Sequence, residues 1–252
     1  MSEFIDLRND ALRLSVGDDF VAVIELAKPP NNFFSMDLIG GIAEALELLD
    51  TDERCRSVVM CAEGKHFCAG ADFSTGDTHF TTEDLYAAAV RIFRTTKPIV
   101  AAIQGAAIGG GLGLALSADF RIASPEARLG FHQGFGLSVT LPRLVGTQAA
   151  AELLYTGRRI DGEEAVSLGM ADRLSSLDDL RSSAHSLARE IAISAPLAVQ
   201  SIRKTLRGAL ADEVAAATDH EGREQAWLRN TSDFNEGTAA MAERREPRFT
   251  GK

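Results

Sequence analysis

The chain has 252 residues, 45% hydrophobic and 25% charged, with a formal net charge of −10. Such a composition suits a folded protein with a sizeable core and excludes disorder as the main state. The acidic balance argues against non-specific binding to nucleic acid or an anionic membrane, although a local basic cluster can still hold a polyanionic ligand.

In chain order, the amino terminus MSEFIDLRND lacks the basic-then-apolar pattern of a secretory signal. No uninterrupted apolar stretch reaches the roughly 20 residues that span a bilayer, so a soluble cytoplasmic protein is expected. Residues 20–26 (FVAVIEL), 57–61 (SVVMC) and 98–104 (PIVAAIQ) are short runs rich in Val and Ile. Each is followed by turn residues and a helical pattern, so each is predicted to be a strand. Between the first two, apolar residues recur at helical spacing over 35–50, after a Ser able to cap the first turn. Thr82, followed by Glu83 and Asp84, is predicted to open a helix through Phe93, with Lys97-Pro98 marking its end. From about Thr147 the strand signals fade, and helices are predicted over 148–154, 162–168, 177–193, 197–210, 212–229 and 233–244. The fold class is α/β, with an α/β core over residues 1–195 and a helical region over 196–252. No repeat or low-complexity linker divides the chain into independent domains.

Cys55, Cys61 and Cys68 are an odd number without CxxC spacing, which indicates buried small hydrophobes rather than disulfides or a zinc site. His66, His185 and His220 show no ligand spacing, and no metal is expected. Two segments join a predicted strand to a helix through small residues: FCAGADF at 67–73 and GAAIGGGLG at 105–113. Glycine permits close backbone approach, and the unpaired N–H groups of a helix start favour developing negative charge. Two such donors from separate segments can form an oxyanion hole. Neither segment matches GxGxxG or GxxxxGK[ST], which argues against a dinucleotide-dependent oxidoreductase or a P-loop site.

The ordered combination GKHFCAGADF, KPIVAAIQGAAIGGGLGLALSADFRIAS, LPRLVG and YTGRRIDGEEAVSLGMADRL, closing on DFNEGTAAMAERREPRF, resembles the crotonase (enoyl-CoA hydratase/isomerase) family. The likeness runs from about Phe20 to Phe249. It implies a ClpP-like fold of repeated ββα units, with carboxyl-terminal helices that mediate a homotrimer or a dimer of trimers. It also implies an acyl-CoA substrate whose coenzyme A belongs to the thioester, with no permanently bound cofactor. Matched by position, the oxyanion-hole N–H groups fall on Ala71 and Gly110. Backbone near Phe33 and Ala69 would meet the adenine, Lys28 sits where a basic side chain approaches the nucleotide, and Arg244 or Arg245 would reach phosphate. The helices over 197–210 and 212–229 would pack between subunits, with Trp227 as an interface or core aromatic.

The resemblance breaks at the acid and base. The archetypal hydratase of the family holds water with two glutamates, one just after the GGG turn and one in the loop after the next strand. The first position is Gly113. The second is Gln133 in an ungapped match, or is deleted when Gly134-Phe135-Gly136 is set on the family's PGxGG segment. Glutamine can orient water but cannot take its proton at neutral pH. Glycine at 113 is expected to open space for a bulkier acyl group. His132 is the titratable side chain of the altered loop and could act as acid or base. Asp77, His79, Glu83 and Tyr86 follow the first motif, where the family lines its acyl pocket. Asp72 is expected to brace a local loop, Asp119 to serve a structural role, and Cys68 to take no part. The leading reading is an acyl-CoA enzyme, with isomerase or another specialised activity suiting the missing glutamates. The alternative is a non-catalytic acyl-CoA-binding or scaffold subunit.

Overall fold

The computed structural model describes residues 3–71 and 81–252. β1 (Glu3–Ile5), β2 (Leu12–Val16) and β3 (Val21–Leu26) form an antiparallel meander. α1 (Met36–Thr51), capped by the Ser35 side chain accepting from the Leu38 N–H, crosses to β4 (Ser57–Ala62), parallel to β3. α2 (Thr82–Arg94) opens at Thr82 as expected, with a reciprocal capping box between Thr81 and Asp84. β5 (Ile99–Ile103) then enters the sheet parallel to β4.

The chain continues through β6 (Ala106–Ile108), α3 (Gly110–Ser117), β7 (Phe120–Ala123), β8 (Arg128–Gly130), α4 (Leu137–Val145) and α5 (Thr147–Thr156). β9 (Ile160–Asp161), α6 (Gly162–Ser167) and β10 (Arg173–Leu174) follow. α7 (Leu180–Ala192), α8 (Pro196–Leu228) and α9 (Ser232–Glu243) complete the chain. The main sheet has seven strands in the order β1-β2-β3-β4-β5-β7-β10, parallel from β3 onward, and β6-β8-β9 form a small second sheet.

The period of two in β4 divides the core. Val58, Met60 and Ala62 join the apolar layer of α1, α2 and α3, while Val59 and Cys61 join a second layer under α7. This burial on both faces explains why the strand reads as an unbroken apolar run. All three cysteines are free and buried, as expected. β4 and β5 run parallel, so the segments leaving their carboxyl ends, which carry the two glycine-rich turns, emerge at the same edge.

Several elements depart from expectation. α8 is one helix of 33 residues where two were predicted, because Ala211 continues the helix on a single buried stripe that runs from Arg203 to Gln225. Leu197, Ile202 and Leu206 are exposed on its first half, whereas Ala211, Val214, Thr218, Glu221 and Gln225 are buried on its second. α4 was not anticipated, since its start carries no side-chain cap and it contains Pro142. α7 begins three residues late because Ser176 and Asp179 bond to each other in a turn. The strands β6, β8, β9 and β10 are too short to display a period. Among the described residues, no helix is long and apolar enough to cross a membrane.

Candidate active site

The two glycine turns are joined by backbone. The Phe67 N–H donates to the Gln104 carbonyl at 2.9 Å, Cys68 to Ala106 at 3.0 Å, and Ile108 back to Cys68 at 3.1 Å. Cys68 and Ala107 therefore pair as a parallel bridge. Glycine is required at the join: a Cβ on Gly111 would lie 2.1 Å from the Cys68 carbonyl oxygen, and one on Gly70, at φ +87°, would lie 2.8 Å from that of Ile108.

Gly110 is the first residue of α3, and the first internal bond of that turn runs from the Gly113 N–H to the Gly109 carbonyl at 3.0 Å. The N–H groups of Gly110 and its two successors thus point out of the helix unpaired by it. Among the described residues, neither Ala71 nor Gly110 donates its N–H to a protein acceptor. Ala71 is exposed and Gly110 half-buried, whereas Phe67, Cys68, Ala107 and Leu112 behind them are fully buried. The two donors stand on an apolar floor that strengthens any charge interaction made there.

The other end of α3 is anchored. Asp119 accepts from the Ile99 N–H at 2.8 Å, from Arg203 Nε at 3.0 Å and from Arg207 Nη1 at 2.9 Å. Arg207 and Arg121 also donate to the carbonyls of Ser117 and Ala118 at the carboxyl end of α3. Cations there complement the helix dipole. Asp119 has the structural role expected of it.

Gly113 does not open space. A Cβ there would lie 2.6 Å from Phe135 Cβ and 2.7 Å from its Cδ1, because the Phe135 ring occupies that volume. Phe34 likewise lies 2.8 Å from where a Gly110 Cβ would stand. Phe34 and Phe135 meet edge to face, with centroids 5.1 Å apart, and Phe93 packs on Phe135 at 6.3 Å. The expectation of a roomier pocket fails because a residue 22 positions away in sequence fills it.

His132 is exposed beside the second turn, its Cβ 3.6 Å from the position of a Gly109 Cβ. Its Nδ1 lies 2.8 Å from the Gln133 carbonyl oxygen, so Nδ1–H donates and Nε2 is left to accept in the neutral ring. Gln133 is half-buried, and its carbonyl also receives Gln225 Nε2 at 2.6 Å. Tyr86 turns inward, bonded to Gln225 Nε2 at 2.8 Å, and burial followed by the nearby Glu221 pushes its hydroxyl up to about 12. Glu83 is exposed. Burial pushes the Cys68 thiol up to about 12 and keeps it a thiol. Asp72, Asp77 and His79 lie outside the described residues.

Of the residues assigned to coenzyme A, three come together. The Ala69 N–H donates to the Asn31 carbonyl at 3.0 Å and that of Phe34 to the Gly70 carbonyl at 2.9 Å, which lays the segment bearing Phe33 along the first glycine turn. The exposed Lys28 begins the same loop, fixed by the buried Asn32, whose side chain accepts from the Lys28 N–H and donates to the Glu63 and His66 carbonyls. Arg244 and Arg245 lie apart at the end of α9. Arg245 is held by Glu236 and Glu243, and among the described residues no bond ties either arginine to the glycine turns. Trp227 is 56% exposed and donates to Glu224, so it is not a core aromatic.

Sequence reading missed Phe34, Phe135, Glu221 and Gln225. The available signal was the spacing of residues 214, 218, 221 and 225 along one helical stripe, with a carboxylate in its midst.

The family model described as enoyl-CoA hydratase/isomerase matches residues 17–252. An enoyl-CoA isomerase/hydratase of Mycosarcoma maydis is 32% identical over 243 residues, covering 88% of this chain and 89% of that protein. The crystal structure of an enoyl-CoA hydratase/isomerase from Pseudoalteromonas atlantica superimposes with a TM-score of 0.86 at 30% identity, covering 95% of this chain and all of that one. An enoyl-CoA hydratase from Mycobacterium avium subsp. paratuberculosis gives 0.82 at 25% identity, over 95% of this chain and 98% of that one. The chain belongs to the enoyl-CoA hydratase/isomerase family of enzymes, within the crotonase superfamily.

Proposed function

We propose that the protein acts on an acyl-CoA thioester whose carbonyl oxygen is held by the N–H groups of Ala71 and Gly110, and that it isomerises or otherwise rearranges the acyl group rather than hydrating it. The observation that supports this reading is the Cys68–Ala107 bridge, which joins the two glycine turns beside the start of α3, where the Gly110 N–H is left unpaired by the helix. Donors fixed before reaction stabilise an enolate or tetrahedral oxyanion without reorganisation, each worth about 2.7–4 kcal/mol where one has been removed. Family membership supports the thioester.

Hydration is disfavoured on chemical grounds. Neither Gly113 nor Gln133 offers a carboxylate, and the place beside Gly113 is taken by an aromatic ring. His132, with Nε2 unprotonated in the neutral ring, is the group we assign to moving the proton between carbons, with Gln133 orienting the loop beside it. Coenzyme A arrives with the substrate. Its adenine would lie along the backbone of Phe33 and Ala69, with Lys28 toward the phosphates. Arg244, the neighbour of the engaged Arg245, is the remaining candidate for phosphate. Assembly as a trimer or a dimer of trimers through residues 196–252 is supported by the exposed Leu197, Ile202 and Leu206 on α8.

The missing carboxylates also favour a second reading, a non-catalytic acyl-CoA-binding subunit. Incubation with saturated, 2-enoyl, 3-enoyl and 3-hydroxyacyl-CoA esters, followed by mass spectrometry, separates the two. Interconversion of 2-enoyl and 3-enoyl esters without hydration upholds the proposal. Binding of the same esters without turnover establishes the second reading, and rapid hydration overturns both.

A further inference from the structure

Gly110 and Gly113 stand three residues apart on α3 and so share one face of the helix. With no side chains, that face would be a bare trough leading inward from the Gly110 N–H. It is filled by two rings in series. The outer ring, Phe34, is half-buried over Gly110, and the inner one, Phe135, is wholly buried over Gly113.

Phe135 is locked in place from both sides. It has φ +56° between Gly134 and Gly136, which also have positive φ, so three successive residues hold a conformation that only a specific fold imposes on a phenylalanine. The Gln133 carbonyl before this turn receives Gln225 Nε2, and the N–H groups of Gly136 and Ser138 after it donate to the buried Glu221 carboxylate at 2.9 and 3.2 Å. A Cβ on Gly134 would come within 2.6 Å of both Gln225 Nε2 and Tyr86 Oη, which leaves the turn little room to shift.

We infer that Phe135 is the specificity-determining floor of the acyl site: it ends the trough one helical turn behind the oxyanion donors and restricts the enzyme to short acyl chains. This rests on the thioester carbonyl lying at Ala71 and Gly110, as proposed above. The ring takes the volume that the methylenes of a longer chain would occupy, and α8, through Glu221 and Gln225, keeps it from swinging aside.

The test is calorimetric binding of free coenzyme A and its acetyl, butyryl, hexanoyl and octanoyl esters to the full-length protein and to Phe135→Gly and Phe135→Leu. Glycine suits the left-handed backbone, and leucine keeps most of the packing if the glycine variant does not fold. Each methylene buried tightens binding about fourfold, so Phe135→Gly should bind octanoyl-CoA at least about tenfold more tightly than wild type, with acetyl-CoA little changed. Phe135→Leu should shift the same way by less. A folded variant with the wild-type chain-length profile overturns the inference while leaving the thioester reading intact. Wild-type protein that binds neither coenzyme A nor any ester overturns the thioester reading and the inference with it.

Discussion

The buried carboxylate of Glu221 on α8 accepts the Gly136 N–H at 2.9 Å, 85 residues away in sequence, and the Ser138 hydroxyl at 2.6 Å with its other oxygen. Gly136 precedes α4 and has no side chain to cap that helix, so the cap comes from another element. Glu221→Ala leaves these donors without an acceptor and should cost about 3 kcal/mol in urea unfolding. Glu221→Gln, which retains one acceptor oxygen, should cost about half as much. Equal losses for the two would show that the carboxylate is not the cap.

Gly110→Pro tests the oxyanion donor. Proline is well accommodated at the first helical position, but its ring would meet Phe34, so the substitution belongs in a Phe34→Ala background. Relative to Phe34→Ala alone, turnover should fall by about 10²- to 10³-fold in kcat. A fall of less than about fivefold would remove Gly110 from the chemistry.

Gly111→Ala should act on stability. Its Cβ would stand 2.1 Å from a backbone oxygen that already receives the Ile108 N–H, so the join between the two turns must part. The expected loss is about 3 kcal/mol, a drop of about 10 °C in Tm in a chain of this size. A melting curve matching wild type would contradict the tight approach of the turns.

Asp119→Ala removes the acceptor shared by Arg203 and Arg207, whose side chains are only 8% and 17% exposed. Stranding buried guanidinium groups should cost about 3–5 kcal/mol, read from urea unfolding. A loss below about 1 kcal/mol would show that the arginines find other partners.

Alkali should weaken the fold in a defined window. Burial raises Cys55 and Cys68 to about 12 and Cys61 to about 11, from 9.0, and raises Tyr86 to about 12 from 10.0. The folded state therefore holds these protons more tightly than the unfolded one. Their contribution is fully present below about pH 9 and is lost as pH rises toward 11 and 12. The urea midpoint should fall between pH 9 and 11, and no thiol should react with a disulfide reagent at pH 8 until the protein unfolds.

The α/β alternation was legible because FVAVIEL, SVVMC and PIVAAIQ are local patterns that burial on both faces makes conspicuous. The glycine turns were legible for the same reason, as their close backbone approach demands small residues in one continuous stretch. What escaped is non-local. Gly113 suggested empty space, and only the left-handed turn at Phe135 shows why it is full. Glu221 sits in a helical segment that resembles a subunit-packing surface until its distant partners are seen. The continuity of α8 was concealed because Leu197, Ile202 and Leu206 lie exposed, off the buried stripe that runs from Arg203 to Gln225, so the apolar pattern does not follow the buried face.

That continuity has a mechanical consequence. α8 is about 50 Å long at 1.5 Å per residue. Near its start, Arg203 and Arg207 grip the carboxyl end of α3 through Asp119 and its neighbouring carbonyls, and some two helical turns from its end Glu221 and Gln225 grip the loop that lies over Gly113. A single stiff beam is thus fastened at two points to the glycine helix and its aromatic cover. Tilting that beam would move the glycine helix and the ring together, so a force applied along α8 would reach both at once.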